Sequence, residues 1–186
     1  FQKLYTIDAA SAACFYTALL SDTRYFTTNS VSHEVFEVAK ELVDLGADPA
    51  NVAFNFTQRR SLSSLRILER ALGHLRLSSE GRIAALFVTQ DDILATGARM
   101  PDMEGIVDYA RSLATVEIGL FAIELEDSIR ISLRSKSVDV SKVSLAFGGG
   151  GHKVAAGFTL KQTTLHESID TILKKINELG LLHGKS

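Results

Sequence analysis

The 186-residue sequence predicts an α/β fold: a helical first part up to about residue 60, then strands mixed with helices. Three observations carry this. Before residue 60 the apolar residues recur at helical spacing, as in Val35, Phe36, Ala39, Leu42 and Val43. Ile83 to Val88 is continuously apolar, the pattern of a strand buried on both faces. In the segment 128–136, Ile129, Ile131 and Leu133 alternate with Arg130, Ser132, Arg134 and Lys136, so one face enters a core and the other is a basic rail. Apolar residues are 46% of the chain, enough for a packed core.

Taken in order, Ile7 to Leu20 predicts a helix with Asp8 as its cap, and Ser21 to Phe26 a loop. A second helix runs from Ser32 to Leu45 and stops at Gly46. Asp48-Pro49 reads as N-cap and first residue of a third. Ser61 to Leu75 predicts a fourth, with Leu62, Leu65, Leu68, Leu72 and Leu75 on one side. Asp91-Asp92 reads as a helix start. Met100-Pro101-Asp102 starts a helix lasting to Leu113, and 116–125 with 128–136 form a hairpin across a tight acidic turn. Asp139 caps a helix ending near Phe147. A short strand, Phe158 to Leu160, leads to a last helix over 164–179.

A formal charge of −2 gives no bulk attraction to polyanions, so any such contact needs a local basic patch. The single Cys14, in an apolar stretch, is expected in the core; this usage suits a cytoplasmic protein. No stretch has the length and apolarity of a membrane span. The chain opens Phe1-Gln2-Lys3 without methionine, as if inside an amphipathic element, which suggests a piece of a longer protein.

The densest chemical signal is Gly148-Gly149-Gly150-Gly151-His152, followed by Ala155-Ala156-Gly157. Bare backbone lets successive N–H groups converge on an anion, and His152 could donate beside them. Arg134, Ser135 and Lys136, a dozen residues upstream, add a planar fork, a hydroxyl and a point charge suited to phosphate. Against this stands the plainer reading of a flexible loop beside a solvated strand face. Asp22-Thr23 after an apolar helix reads as a turn, and a single carboxylate is a weak metal signal. His33, His74, His166 and His183 are scattered, with no metal-ligand spacing.

These residues together resemble a known family. The glycine–histidine run with Ser132-Leu133-Arg134-Ser135-Lys136 and Asp139 is similar to the C-terminal substrate-binding domain of the DHH/DHHA1 phosphoesterases. Ala18 to Phe26 resembles that family's last metal-binding motif, and Asp102-Met103-Glu104-Gly105-Ile106-Val107 its helix before the hairpin. The likeness spans nearly the whole chain and is nearest to the nanoRNase type, bifunctional oligoribonucleases and pAp phosphatases. It implies the end of a helical, Rossmann-like DHH domain at 1–58, then a linker helix and a mixed-sheet DHHA1 domain at 59–186. It implies hydrolysis of short oligoribonucleotides or pAp with two Mn²⁺ ions, Asp22 as a metal ligand, and substrate phosphate on Arg134, His152 and the Gly148–Gly151 backbone, with Ser135 and Lys136 as helpers. It also implies a homodimer and no membrane partner. Exopolyphosphatase, cyclic-dinucleotide phosphodiesterase and a non-catalytic phosphate-binding module are the alternatives. Two departures stand out. The sequence has no Asp-His-His and no Asp-x-Asp motif, so most of the family's metal ligands are missing, and Arg24 stands where the family has glycine.

Overall fold

The computed structural model describes residues 7–57 and 59–182, the side chain of Phe56 excepted. The opening at Phe1-Gln2-Lys3 and His183 lie outside the described residues. The chain divides into two compact units, Phe1–Arg60 and Ser61–Ser186.

Among the described residues the first unit holds three helices: α1 (Ala9–Asp22), α2 (His33–Asp44) and α3 (Pro49–Thr57). Asp8 caps α1 by accepting the Ser11 N–H at 2.8 Å, and Asp48 accepts the N–H groups of Ala50 and Asn51 at 2.9 and 3.1 Å. Ala12, Tyr16 and Leu20, spaced by four, face a small core shared with Ala39, Leu42, Ala47 and Val52. Cys14 sits on the opposite side of α1 and is exposed, against the core placement expected from its neighbours. Phe36 and Val43 of the expected α2 stripe are also exposed, because Ala39 and Leu42 point the helix inward.

Helix α1 extends two residues past the expected end, so Asp22 is its last residue. Thr23 follows, 3% exposed; its hydroxyl donates to Leu19 O at 2.7 Å and accepts the Phe26 N–H at 3.1 Å. Arg24, Tyr25 and Phe26 have φ of 46°, 59° and 60°, so arginine does take the left-handed conformation that glycine would take without strain.

The second unit is built on one six-stranded sheet of order β1-β2-β3-β4-β6-β5. Its strands are β1 (Arg76–Ser78), β2 (Ile83–Val88), β3 (Ile118–Leu125), β4 (Ser128–Ser135), β5 (Gly150–His152) and β6 (Ala155–Lys161). Among the described residues only β2 and β3 pair in parallel; the other neighbours are antiparallel. The parallel pair needs a crossover, supplied by α5 (Gln90–Thr96), a 3-10 helix (Met100–Met103) and α6 (Ile106–Ser112). The single helix expected over 100–113 is broken at Gly105, whose φ of 77° is left-handed. Helices α4 (Leu62–Gly73), α7 (Ser141–Ala146) and α8 (Leu165–Glu178) complete the unit.

The faces of this sheet are covered unequally. On one face Ile83, Ile118, Leu120, Ile131, Leu133 and Phe158 meet α7 and α8 in a continuous core. On the other, Ala84, Leu86, Val88, Phe121 and Ile123 meet α4, the 3-10 helix and α6, and this cluster takes no residue from β4, β5 or β6. Helix α4 packs through Ile67, Leu68 and Ala71. Of the expected leucine face only Leu68 turns inward; Leu62, Leu65, Leu72 and Leu75 are exposed. Helical spacing fixes which residues share a side, while the position of the sheet decides which side is inward.

The glycine run does not form the expected concavity of four N–H groups. The Gly148 and Gly149 N–H groups donate within the chain, to Leu145 O at 3.1 Å and Ser144 O at 2.9 Å. Gly150 and Gly151 belong to the edge strand β5. The buried Ser144 hydroxyl lies 2.7 Å from Gly157 O and 3.1 Å from Gly150 O, tying β5, β6 and α7 together. At Gly149 a Cβ would fall 2.4 Å from Gly157 O and 2.4 Å from Phe158 Cβ, whereas at Gly150 it would meet nothing within 4 Å. Gly149→Ala should therefore destabilise by about 1–3 kcal/mol, and Gly150→Ala by no more than about 0.5 kcal/mol. Chemical denaturation of the two variants checks this, and equal losses would contradict the packing described.

Candidate phosphate-binding site

The register places the polar residues of β4 in a row on the face that the second helical cluster leaves open. Arg130 pairs with Ile123 and Thr159, Ser132 with Phe121 and Gly157, and Arg134 with Gly119 and Ala155. Directly paired residues share a face, and His152 pairs with Ala155. Arg134, Ala155 and His152 thus form a line across three strands. Two strand spacings separate Arg134 from His152, roughly 10 Å between backbones, with only a methyl group between them.

Over this line lies a recess of about 570 Å³, bordered by Arg130, Ser132, Arg134, Gly150, Gly151 and His152. Small residues on β5 and β6 make it. A ligand can reach the sheet surface because Ala155 and Gly157 raise nothing in its way. Arg134 is half-buried; its Nη1 donates to Leu133 O at 3.0 Å, but its buried Nε has no hydrogen-bond partner among the described residues. A buried donor without a partner is costly, and an anion in the recess is the group that would satisfy it. Arg130 is exposed, and its side chain makes no hydrogen bond or ion pair among the described residues.

The remaining sequence candidates sit elsewhere. Ser135 has the parity of the core face; it is 4% exposed and its hydroxyl donates to Val138 O at 2.5 Å. Lys136 Nζ donates to Leu113 O and Ala114 O at 2.7 and 3.0 Å, closing the end of α6. Gly148 and Gly149 are structural. The structure thus groups Arg134, Gly150, Gly151 and His152, and adds Arg130 and Ser132, which the alternation of β4 already pointed to. Ser135 N–H donates to Val154 O at 3.0 Å and Val140 N–H to Lys153 O at 2.8 Å, so the turn after His152 is held to the end of β4.

Asp22 belongs to the other unit, and no group of three or more His, Cys, Asp or Glu able to hold a metal occurs among the described residues. They do not by themselves make the two-ion site that the family resemblance implies.

A second recess, about 360 Å³, opens on the other side of the same β4 row, between it and the segment from Met100 to Asp108. Asp102 anchors that segment. It accepts the Ser61 hydroxyl at 2.5 Å, the Arg99 N–H at 2.9 Å and the Ser63 hydroxyl at 3.3 Å. These bonds, that of Ser61 foremost, hold its carboxyl below the ordinary aspartate value.

Comparison with known proteins gives the family. Residues 80–179 match the DHHA1 domain. The chain belongs to the DHHA1 domain family. It is 28% identical over 163 residues to the bifunctional oligoribonuclease and PAP phosphatase NrnA of Thermus thermophilus, covering 87% of this chain and 48% of that protein. The Bacillus subtilis protein of the same name is 21% identical over 84% of this chain and 49% of its own length. An exopolyphosphatase-related protein from Bacteroides fragilis superposes with a TM-score of 0.86 at 28% identity, covering 93% of this chain and 52% of that one. The chain spans about half the length of the relatives it matches. Among the described residues no helix is long and apolar enough to cross a membrane.

Because the pKa of Asp102 is depressed on folding, its contribution to stability is present above the ordinary aspartate value of about 3.9 and is lost as pH falls through its lower folded value. Asp102→Asn should lower the melting temperature at neutral pH, and the gap to the parent should narrow on acidification below about pH 3.9. A gap that does not change with pH would show that the anchor is not ionic.

Proposed function

We propose that this chain is the substrate-binding part of a phosphoesterase acting on short oligoribonucleotides and pAp. The observation that carries the reading is Arg134, whose buried Nε is unpartnered among the described residues and whose side chain lines a recess shared with Arg130 and His152 on a chain of net charge −2. The names of the relatives from Thermus thermophilus and Bacillus subtilis support the same class of substrate. A phosphate seated over Ala155 would take the fork of Arg134 on one side and His152 on the other, with Arg130 drawing in the next phosphate along the row. Enough local charge stands there to bind a small polyanion despite the net charge of −2.

Cleavage is proposed to depend on two Mn²⁺ ions, with Asp22 as one ligand. The other ligands are not in this sequence, so the part proposed for the described residues is to hold and orient the substrate. The Bacteroides fragilis neighbour favours polyphosphate as a second substrate class, since a row of cations reads charge spacing and not bases. Titration by calorimetry in the presence of a chelator, with pAp, a diribonucleotide and tripolyphosphate, separates these. Micromolar or tighter binding of pAp and the diribonucleotide is expected. Binding of tripolyphosphate alone would overturn the nucleotide reading, and binding of none would overturn the phosphate site. Arg134→Ala should weaken pAp by about 1.5–3 kcal/mol; unchanged affinity would remove Arg134 from the site.

A further inference from the structure

We infer that an oligoribonucleotide lies across the sheet, in a trough over Ser132, Gly157 and Gly150, and that Gly150 is the residue that admits a chain longer than one nucleotide. The inference rests on the phosphate reading of the larger recess and adds the path of the chain to it.

The register defines the trough. Phe121 on β3 pairs with Ser132 on β4, Ser132 with Gly157 on β6, and Gly157 with Gly150 on β5. Directly paired residues share a face, so these four form one line at right angles to the strands, three strand spacings or about 14 Å long. Each of them lines one of the two recesses, and Ser132 lines both. About 7 Å to either side, two residues along the strands, run the lines that carry the charge. One is Arg130 with Thr159; the other is Arg134 with Ala155 and His152. Between them the middle line raises one hydroxymethyl group, at Ser132, and only hydrogens at the two glycines. Ser132 is thus a notch in the wall that the recesses share, and its hydroxyl makes no hydrogen bond among the described residues.

The two ends of the trough differ. At one end Phe121 is 2% exposed, beneath the cluster of the 3-10 helix and α6. At the other, β5 is the last strand of the sheet, and Gly150, Gly151 and His152 are all exposed. A chain gripped at Ala155 and longer than one nucleotide leaves by that edge, over Gly150. The fold gives no reason of its own for a glycine there. Gly149 and Gly157 would meet neighbouring backbone oxygens at 2.4 and 2.8 Å if given a Cβ, and Gly148 and Gly151 have φ of 74° and 139°. Gly150 has no such φ, and its Cβ would meet nothing within 4 Å. A strand glycine loses backbone entropy, and without a steric reason inside the chain it marks a close approach from outside it. Any side chain at 150 would rise from the floor of the trough, where the larger recess lies.

Ligand length tests the trough, by calorimetry on the 186-residue chain with a chelator present. The parent chain should bind a tetraribonucleotide at least as tightly as pAp. Gly150→Val should lower the ratio of tetraribonucleotide to pAp affinity about tenfold, and Gly150→Ala should lower it less, in the same direction. Chemical denaturation of the same samples checks that each variant is folded, and if Gly150→Val is not, Gly150→Ala decides. A ratio that neither variant changes would overturn the trough and the role of Gly150 and leave the phosphate site standing. A parent chain that binds pAp and not the tetraribonucleotide would do the same. A parent chain that binds neither would overturn the phosphate reading, and the trough with it.

Discussion

The candidate site depends on one constraint, the unequal covering of the sheet. A strand buried on both faces must be apolar throughout, as β2 is. A strand covered on one face must alternate, as β4 does. The cluster of α4, the 3-10 helix and α6 ends at β3, so the outward residues of β4 and β6 have no apolar partner to bury them. That face can carry arginines beside glycine and alanine, which would be untenable one strand further in. The recesses are what remains where a helical layer stops, and their shared wall is the first strand beyond its edge.

The two sides of that wall come from different pieces of chain. The phosphate side is built from β5 and β6 and fixed by Ser144 and the turn at Lys153-Val154. The other side is the crossover between the parallel strands β2 and β3, fixed by Asp102. Backbone groups and small residues shape the first; side-chain identity shapes the second.

Much of this was legible in the sequence, for reasons that also mark where legibility ends. The alternation in 128–136 has period two, and a period-two pattern fixes faces without reference to anything else, so Arg130, Ser132 and Arg134 could be assigned to one surface. Ser135 falls on the core side of that alternation and could have been separated from Arg134 on the same ground. The glycines were harder. Sequence marks them as places where the backbone is bare, but not whether space is needed for a ligand or for a neighbouring strand. Gly149 and Gly151 would collide with β6 if given a Cβ, and the Gly148 and Gly149 N–H groups are spent on the end of α7. The leucines of α4 failed for a related reason: a helical wheel gives angles relative to itself, and the sheet that selects Ile67 and Ala71 lies far away in sequence. The break at Gly105 was readable only as a glycine in a helix-like stretch.

One small feature of β3 sets a dimension of the whole arrangement. A Cβ at Gly119 would lie 2.8 Å from the Arg111 nitrogen and 3.0 Å from Val107 O, so α6 rests directly on the backbone of the strand. Gly119 is also the partner of Arg134 in the ladder. A methyl group there would act as a shim. It would lift α6 from the sheet beside the arginine and widen the smaller recess, which Val107 and Asp108 line. The gauge of the smaller recess is in this sense set by one absent carbon atom on a strand that contributes no charged group to either side.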